Sequence, residues 1–109
     1  MTDIELLVGK LIQFRDARDW DQFHNPKDLA LALSVEAGEL LELYLWKDPN
    51  DANKEKVKEE LADIISFALL LANKYGFDVK QIVIDKISSN ALKYPINKAK
   101  GTSKKYNEL

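Results

Sequence analysis

The stretch Asp28–Trp46 restricts the fold more than any other part of this chain, because it reads as a helix with almost no polar side. Taking Glu36 as origin and stepping about 100° per residue, Leu29, Leu33, Leu40 and Leu43 fall within about 60° of it. Leu31, Val35, Leu41, Tyr44, Leu45 and Trp46 cover other sides. A helix apolar nearly all round is buried, either in a large core or between subunits. The chain has 109 residues and a mass of 12.5 kDa. On general surface scaling it falls from roughly 18,000 Å² unfolded to roughly 6,000 Å² folded. That suits one domain with a modest core, too small to enclose this helix alone. The sequence therefore predicts a homo-oligomer.

Three further helices are expected. The first runs from an N-cap at Thr2 or Asp3 to Asp19, with Ile4, Leu7, Val8, Leu11 and Phe14 at helical spacing. A loop, Trp20–Pro26, separates it from the helix that starts near Asp28, and Asp48-Pro49-Asn50-Asp51 ends that second helix after Trp46. The third covers Ala52 to Tyr75, closed by Gly76; the fourth is capped by Asp78, reaches Tyr94 and stops at Pro95. The expected fold is all-α, a four-helix bundle-like protomer with short connections and antiparallel neighbours. Residues 1–95 form its single helical domain, and 96–109 a basic C-terminal tail carrying Lys98, Lys100, Lys104 and Lys105 against one acid, Glu108.

Composition narrows the function. Sixteen Lys+Arg against 18 Asp+Glu create no large positive field, which excludes a bulk electrostatic binder of nucleic-acid polymers. The lack of Cys excludes a disulfide framework, a thiol nucleophile and a zinc-thiolate centre. The longest nearly apolar run, Ile64–Ala72, falls well short of the roughly 20 residues of a membrane span, and the acidic start Met1-Thr2-Asp3-Ile4-Glu5 is unlike a signal peptide. A soluble cytoplasmic protein is the expectation.

The acids stand in unusual places. Glu36 lies mid-stripe on the second helix, with Glu39 beside it at i+3. On the third helix Val57, Ile64, Phe67 and Leu71 share the stripe of Glu60, and Asp63 stands at i+3 on its edge. An antiparallel hairpin of the two helices brings the four carboxylates face to face. Carboxylates converging in a partly apolar setting do not all stay ionised without compensation. Hard divalent cations supply it, and an all-oxygen ligand set favours Mg²⁺ or Mn²⁺ over zinc. A di-iron bundle would carry Glu-x-x-His motifs, whereas the one histidine, His24, sits in a loop. Such pairs also occur on plainly solvated helices. Glu55 and Glu59 read as solvated partners of Lys54, Lys56 and Lys58, and Phe23 as a core residue.

Several longer motifs occur in order. They are Arg18-Asp19-Trp20-Asp21-Gln22-Phe23-His24, Leu31-Ala32-Leu33-Ser34-Val35-Glu36-Ala37-Gly38-Glu39-Leu40 and Glu59-Glu60-Leu61-Ala62-Asp63-Ile64. Lys93-Tyr94-Pro95 and Ser103-Lys104-Lys105-Tyr106-Asn107-Glu108-Leu109 complete the set. Together they resemble the MazG-like all-α nucleoside triphosphate pyrophosphohydrolases, and within them the dCTP pyrophosphatase branch, over nearly the whole chain.

The resemblance implies Mg²⁺-dependent hydrolysis of a dNTP, dCTP or a modified dCTP, to the monophosphate and pyrophosphate, in cleaning of the nucleotide pool. Glu36, Glu39, Glu60 and Asp63 match the family's metal positions, and Glu39 is the candidate to orient or deprotonate the attacking water. Trp20 and Trp46 are candidates to stack the base, with core or interface packing as the alternative. His24 is a candidate contact to base or sugar, or else a loop-packing residue. Leu11 and Phe67 stand where some relatives have polar residues near the base, which leaves base preference open. Lys93, Tyr94, Lys104 and Tyr106 resemble positions near the phosphates. The implied assembly is a tetramer built as a dimer of dimers. Two other readings stay open: a broader (d)NTP or dUTP pyrophosphohydrolase, and a non-enzymatic helical oligomer whose acids pair with lysines.

Overall fold

Local capping signals decide where each helix begins in the computed structural model, which describes residues 1–109. Helix α1 (Asp3–Ala17) starts at Thr2, whose hydroxyl accepts from the Glu5 amide while the Glu5 carboxylate accepts from the Thr2 amide, a complete capping box. Asn25 caps α2 (Pro26–Glu42) with Pro26 in its first turn, two residues ahead of the expected Asp28 start. Asn53 caps α3 (Lys54–Tyr75) by accepting from the amides of Glu55 and Lys56, so that helix begins after Ala52, not at it. Asp78 caps α4 (Val79–Lys93) as the sequence predicts. A short α5 (Ile96–Ala99) and a 3₁₀ turn at Tyr106–Glu108 give the C-terminal stretch regular structure. The chain is all-helical, and no helix is long and apolar enough to cross a membrane.

The helix ends depart from expectation at two places. Helix α1 stops at Ala17 because the amides of Arg18 and Asp19 turn back to the carbonyls of Arg15 and Asp16, and Asp19 takes a left-handed φ of 54°. Helix α2 stops at Glu42 and does not reach Trp46. From Leu43 onward the chain tightens into i→i+3 turns, and Trp46 itself has a φ of 61°. Gly76 closes α3 with a φ of 71°, the position at which a glycine is required.

The chain forms two compact units, Met1–Phe77 and Asp78–Leu109. In the first, α2 and α3 make the most extensive helix pairing and α1 packs on α3. The pairing is antiparallel: Tyr44, past the end of α2, shares a groove with Val57 in the first turn of α3, while Glu36, about two turns before Tyr44, meets Glu60 and Asp63, about one and two turns after Val57. The buried core comprises Leu29 of α2 with Leu69, Leu70 and Ala72 of α3. Leu29 is 1% exposed, and full burial of such a side chain contributes about 2 kcal/mol. The other faces of α2 are uncovered within the chain, with Leu31 54%, Val35 57% and Leu41 61% exposed. Phe23 corrects the sequence expectation. It is 62% exposed, because the 3₁₀ turn Asp21–Phe23 directs it away from the core.

In the second unit Tyr94 and Tyr106 meet edge to face at 6.2 Å between ring centroids, and the Lys93 ammonium sits 5.0 Å from the Tyr106 ring.

Candidate metal centre

The stripes read from the sequence reappear as a burial pattern. Leu33, Glu36, Leu40 and Leu43 are half-buried along α2 and the turn after it, as are Val57, Glu60, Ile64, Phe67 and Leu71 along α3. Glu39 and Asp63 stand on the exposed margins. Packing these two stripes together brings one carboxylate oxygen each from Glu36, Glu60 and Asp63 within 4.8 Å of one another. The Oε2 atoms of Glu36 and Glu60 are buried with no hydrogen-bond partner. Unpaired buried acceptors are expensive, and none of the chain's ion pairs reaches any of the four acids. Glu55 does pair with Lys58, at 3.3 Å, out in solvent.

The electrostatics follow. The Glu36 carboxyl is pushed up to about 7, first by sharing a proton with Glu60, then by burial, then by Glu39, with the negative charges of both neighbours adding. The group therefore takes up a proton near neutrality unless a positive charge is supplied. The donor set is all oxygen, anionic and partly desolvated, so the residues present fit a hard divalent cation.

Asp63 belongs to two features at once. Besides the acid cluster it lines a cavity of about 360 Å³ bounded by Leu11, Phe14, Trp20, His24 and Phe67, within the size range of small-ligand sites. Phe14 and Trp20 meet edge to face at 5.8 Å, and the Arg18 guanidinium lies 3.7 Å over the Phe14 ring while donating to the Phe14 carbonyl. Burial, then the nearby Arg15 and Lys74, depress the His24 pKa against the opposing pull of Asp21, which favours the neutral imidazole. Its Nδ1 is buried without a partner.

The remaining predicted site residues fall elsewhere. Trp46 is 99% exposed and lines none of these features. Lys93, Tyr94 and Tyr106 gather in the second unit, and the Lys104 amide donates to the Thr102 hydroxyl. Sequence reasoning did not identify Phe14, Arg15, Ser66 and Leu70 as pocket residues. In the sequence Phe14 is one apolar position at helical spacing and Leu70 lies inside the apolar run Ile64–Ala72, and only the packing of α1 on α3 distinguishes them.

These features define a class: an all-α protein holding an acidic, cation-ready cluster between two antiparallel helices, opening on an aromatic pocket. The sequence pattern of the MazG-like family matches residues 31–109, and the chain belongs to that family. Among its relatives, dCTP pyrophosphatase 1 of Mus musculus is 38% identical over 105 residues, and that of Homo sapiens 36%. Each alignment covers 89% of this chain and 62% of the relative, so the chain spans less than two-thirds of their length. The crystal structure of a pyrophosphatase from Archaeoglobus fulgidus superposes with a TM-score of 0.81 at 34% identity, covering 87% of this chain and 94% of that one.

Proposed function

We propose that this chain is a divalent-metal-dependent nucleoside triphosphate pyrophosphohydrolase, with Mg²⁺ as the metal and dCTP or a modified dCTP as the preferred substrate. The observation that carries this reading is the double role of Asp63, which joins a three-carboxylate cluster to an aromatic pocket. That juxtaposition suits a molecule with a polyanionic end and a flat, stackable end. Relatives named dCTP pyrophosphatase and pyrophosphatase support the same reading. The lack of any ion pair on the four acids argues against a structural lysine network.

Glu36, Glu60 and Asp63 would hold the metal, with Glu39 beside Glu36. When bound, such a cation supplies neutralisation of the triphosphate and a lowered pKa for the attacking water. Glu39, more exposed than Glu36, orients that water and takes its proton. The water oxygen bonds to the α-phosphorus, the bond to the bridging α–β oxygen breaks, and pyrophosphate leaves with the electron pair. Phe14 and Trp20 wall the base, and neutral His24 offers its unpartnered Nδ1 as an acceptor. For the phosphate end we assign Lys93, Tyr94, Lys104 and Tyr106 from their cationic and hydroxyl groups. A homotetramer, a dimer of dimers, accounts for the uncovered Leu31, Val35 and Leu41 and for the fully exposed Trp46, whose ring a second copy would cover.

A panel of the four dNTPs, 5-modified dCTP, dUTP and the ribonucleotides with Mg²⁺, read by released pyrophosphate, tests the activity. The apolar lining of Leu11, Phe14, Phe67 and Leu70 favours a second reading, tolerance of several bases, which the same panel separates. Absence of turnover on every nucleotide refutes both. Size-exclusion chromatography with light scattering tests the tetramer, and a monomer at micromolar concentration refutes it.

A further inference from the structure

The loop that carries Trp20 and His24 is fastened to α3 by one side chain. Its backbone is tied locally: the Trp20 amide donates to the Arg15 carbonyl, and the amides of Phe23 and His24 donate to the carbonyls of Trp20 and Asp21. Gln22 donates to the Asp19 carbonyl and carboxylate, which closes the turn on itself. None of these bonds fixes the loop to α3, the helix that supplies Asp63, Phe67 and Leu70 to the same cavity.

Asp21 does. A single oxygen, Oδ1, meets the Arg15 guanidinium of α1 at 3.2 Å and the Lys74 ammonium of α3 at 2.5 Å. Among the side-chain hydrogen bonds, the one to Lys74 alone spans the sequence, joining residues 53 positions apart. The two cations are well shielded, with side chains 11% and 24% exposed, although Asp21 itself is 52% exposed. An isolated surface ion pair contributes little, but here two cations converge on one anion. Without the carboxylate they repel each other across the seam between loop and helix. The Lys74 contact holds the Asp21 carboxyl below the usual carboxylate range, against an opposing effect of burial, and Arg15 adds to it.

We propose that Asp21 is a positioning residue: its carboxylate locks the Trp20–His24 loop to α1 through Arg15 and to α3 through Lys74, and so sets where Trp20 and His24 stand around the pocket. Asp21 does not line the cavity, so it acts through its neighbours and not by touching a ligand. The proposal rests on the reading that this pocket receives the nucleobase. A displaced aromatic wall weakens ground-state and transition-state binding alike, which raises KM and leaves kcat nearly unchanged.

The test uses the full chain in two arms. In steady-state kinetics with the best nucleotide of the panel, Asp21→Ala and Lys74→Met each raise KM about tenfold with kcat held within about twofold. The double variant is no worse than Asp21→Ala alone, because that substitution already removes the link to Lys74. Asp21→Glu, which keeps the charge, recovers most of the loss. In the second arm Trp46→Phe leaves Trp20 as the sole tryptophan, and acrylamide quenching of its emission is compared with and without Asp21→Ala. Trp20 is 44% exposed, so release of the loop raises its quenching constant by up to about twofold. An unchanged KM in Asp21→Ala, or a fall in kcat at constant KM, overturns the proposal. Should the unaltered chain turn over no nucleotide, the functional reading fails and the quenching arm alone decides: a rise supports the lock, and no change overturns it.

Discussion

Replacing Glu36 by Gln is expected to make the metal-free protein more stable while removing its function. Gln keeps the shape of a protonated Glu and can donate to Glu60, but it never carries the charge that the cluster resists. In the folded chain Glu36 is pushed from its ordinary 4.5 to about 7, chiefly through Glu60. A raised carboxyl pKa means the folded state holds a proton that the unfolded state has released. The stability associated with this group is therefore fully present below about pH 4.5 and is lost as pH rises through about 7. The difference corresponds to about 3 kcal/mol, which partial solvent access reduces to about 1–2 kcal/mol. For a domain of this size that moves Tm by roughly 5–15 °C.

The assay is thermal melting followed by circular dichroism, in EDTA, at pH 5 and pH 8. Glu36→Gln melts higher than the unaltered chain at pH 8 and close to it at pH 5. Adding Mg²⁺ at pH 8 raises the unaltered chain by up to about 3 kcal/mol when the cation is at about a hundred times its Kd, and raises the variant much less. A variant that melts lower at pH 8, or gains equally at both pH values, refutes the reasoning.

Other outcomes follow from the same geometry. Asp63→Asn abolishes pyrophosphate release and leaves the helical circular dichroism spectrum intact, since Asp63 is exposed and engaged only in the cluster and pocket. Trp20→Ala weakens nucleotide binding by about 1–3 kcal/mol, measured by titration calorimetry, through loss of the stacking wall. Leu29→Ala lowers stability by about 2–5 kcal/mol in urea melts, because this side chain is the most deeply buried in the chain. Gly76→Ala lowers stability by about 1 kcal/mol in the same assay; the added methyl meets open space, so the penalty is conformational.

The helices were legible because their signals are local. Thr2 and Asp78 satisfy orphan amides within three residues of themselves, and each side chain lies within reach of its target whatever the rest of the chain does. The expected starts of α2 and α3 fall late and early although Asn25 and Asn53 are favourable N-cap residues, whereas the expected ends of α1 and α2 overshoot because the backbone geometry there has no strong composition signal. Leu43–Trp46 is apolar enough to continue α2, yet the chain tightens and Trp46 turns left-handed. The stripe positions of Glu36 and Glu60 were readable because helical periodicity alone puts them among Leu33, Leu40, Ile64 and Phe67.

What the sequence determined by itself is the four long helices and the face on which each acid stands, since periodicity and capping act over one or two turns. Tertiary structure alone decided which faces meet. It selected Glu36, Glu60 and Asp63 as the three whose oxygens converge, left Glu39 on the margin, and made Asp63 the link to the pocket. It also joined Asp21 to Lys74 and left Trp46 in solvent. Those outcomes depend on the angle and offset at which α1 and α2 pack on α3, and no residue spacing along the chain encodes a distance across it.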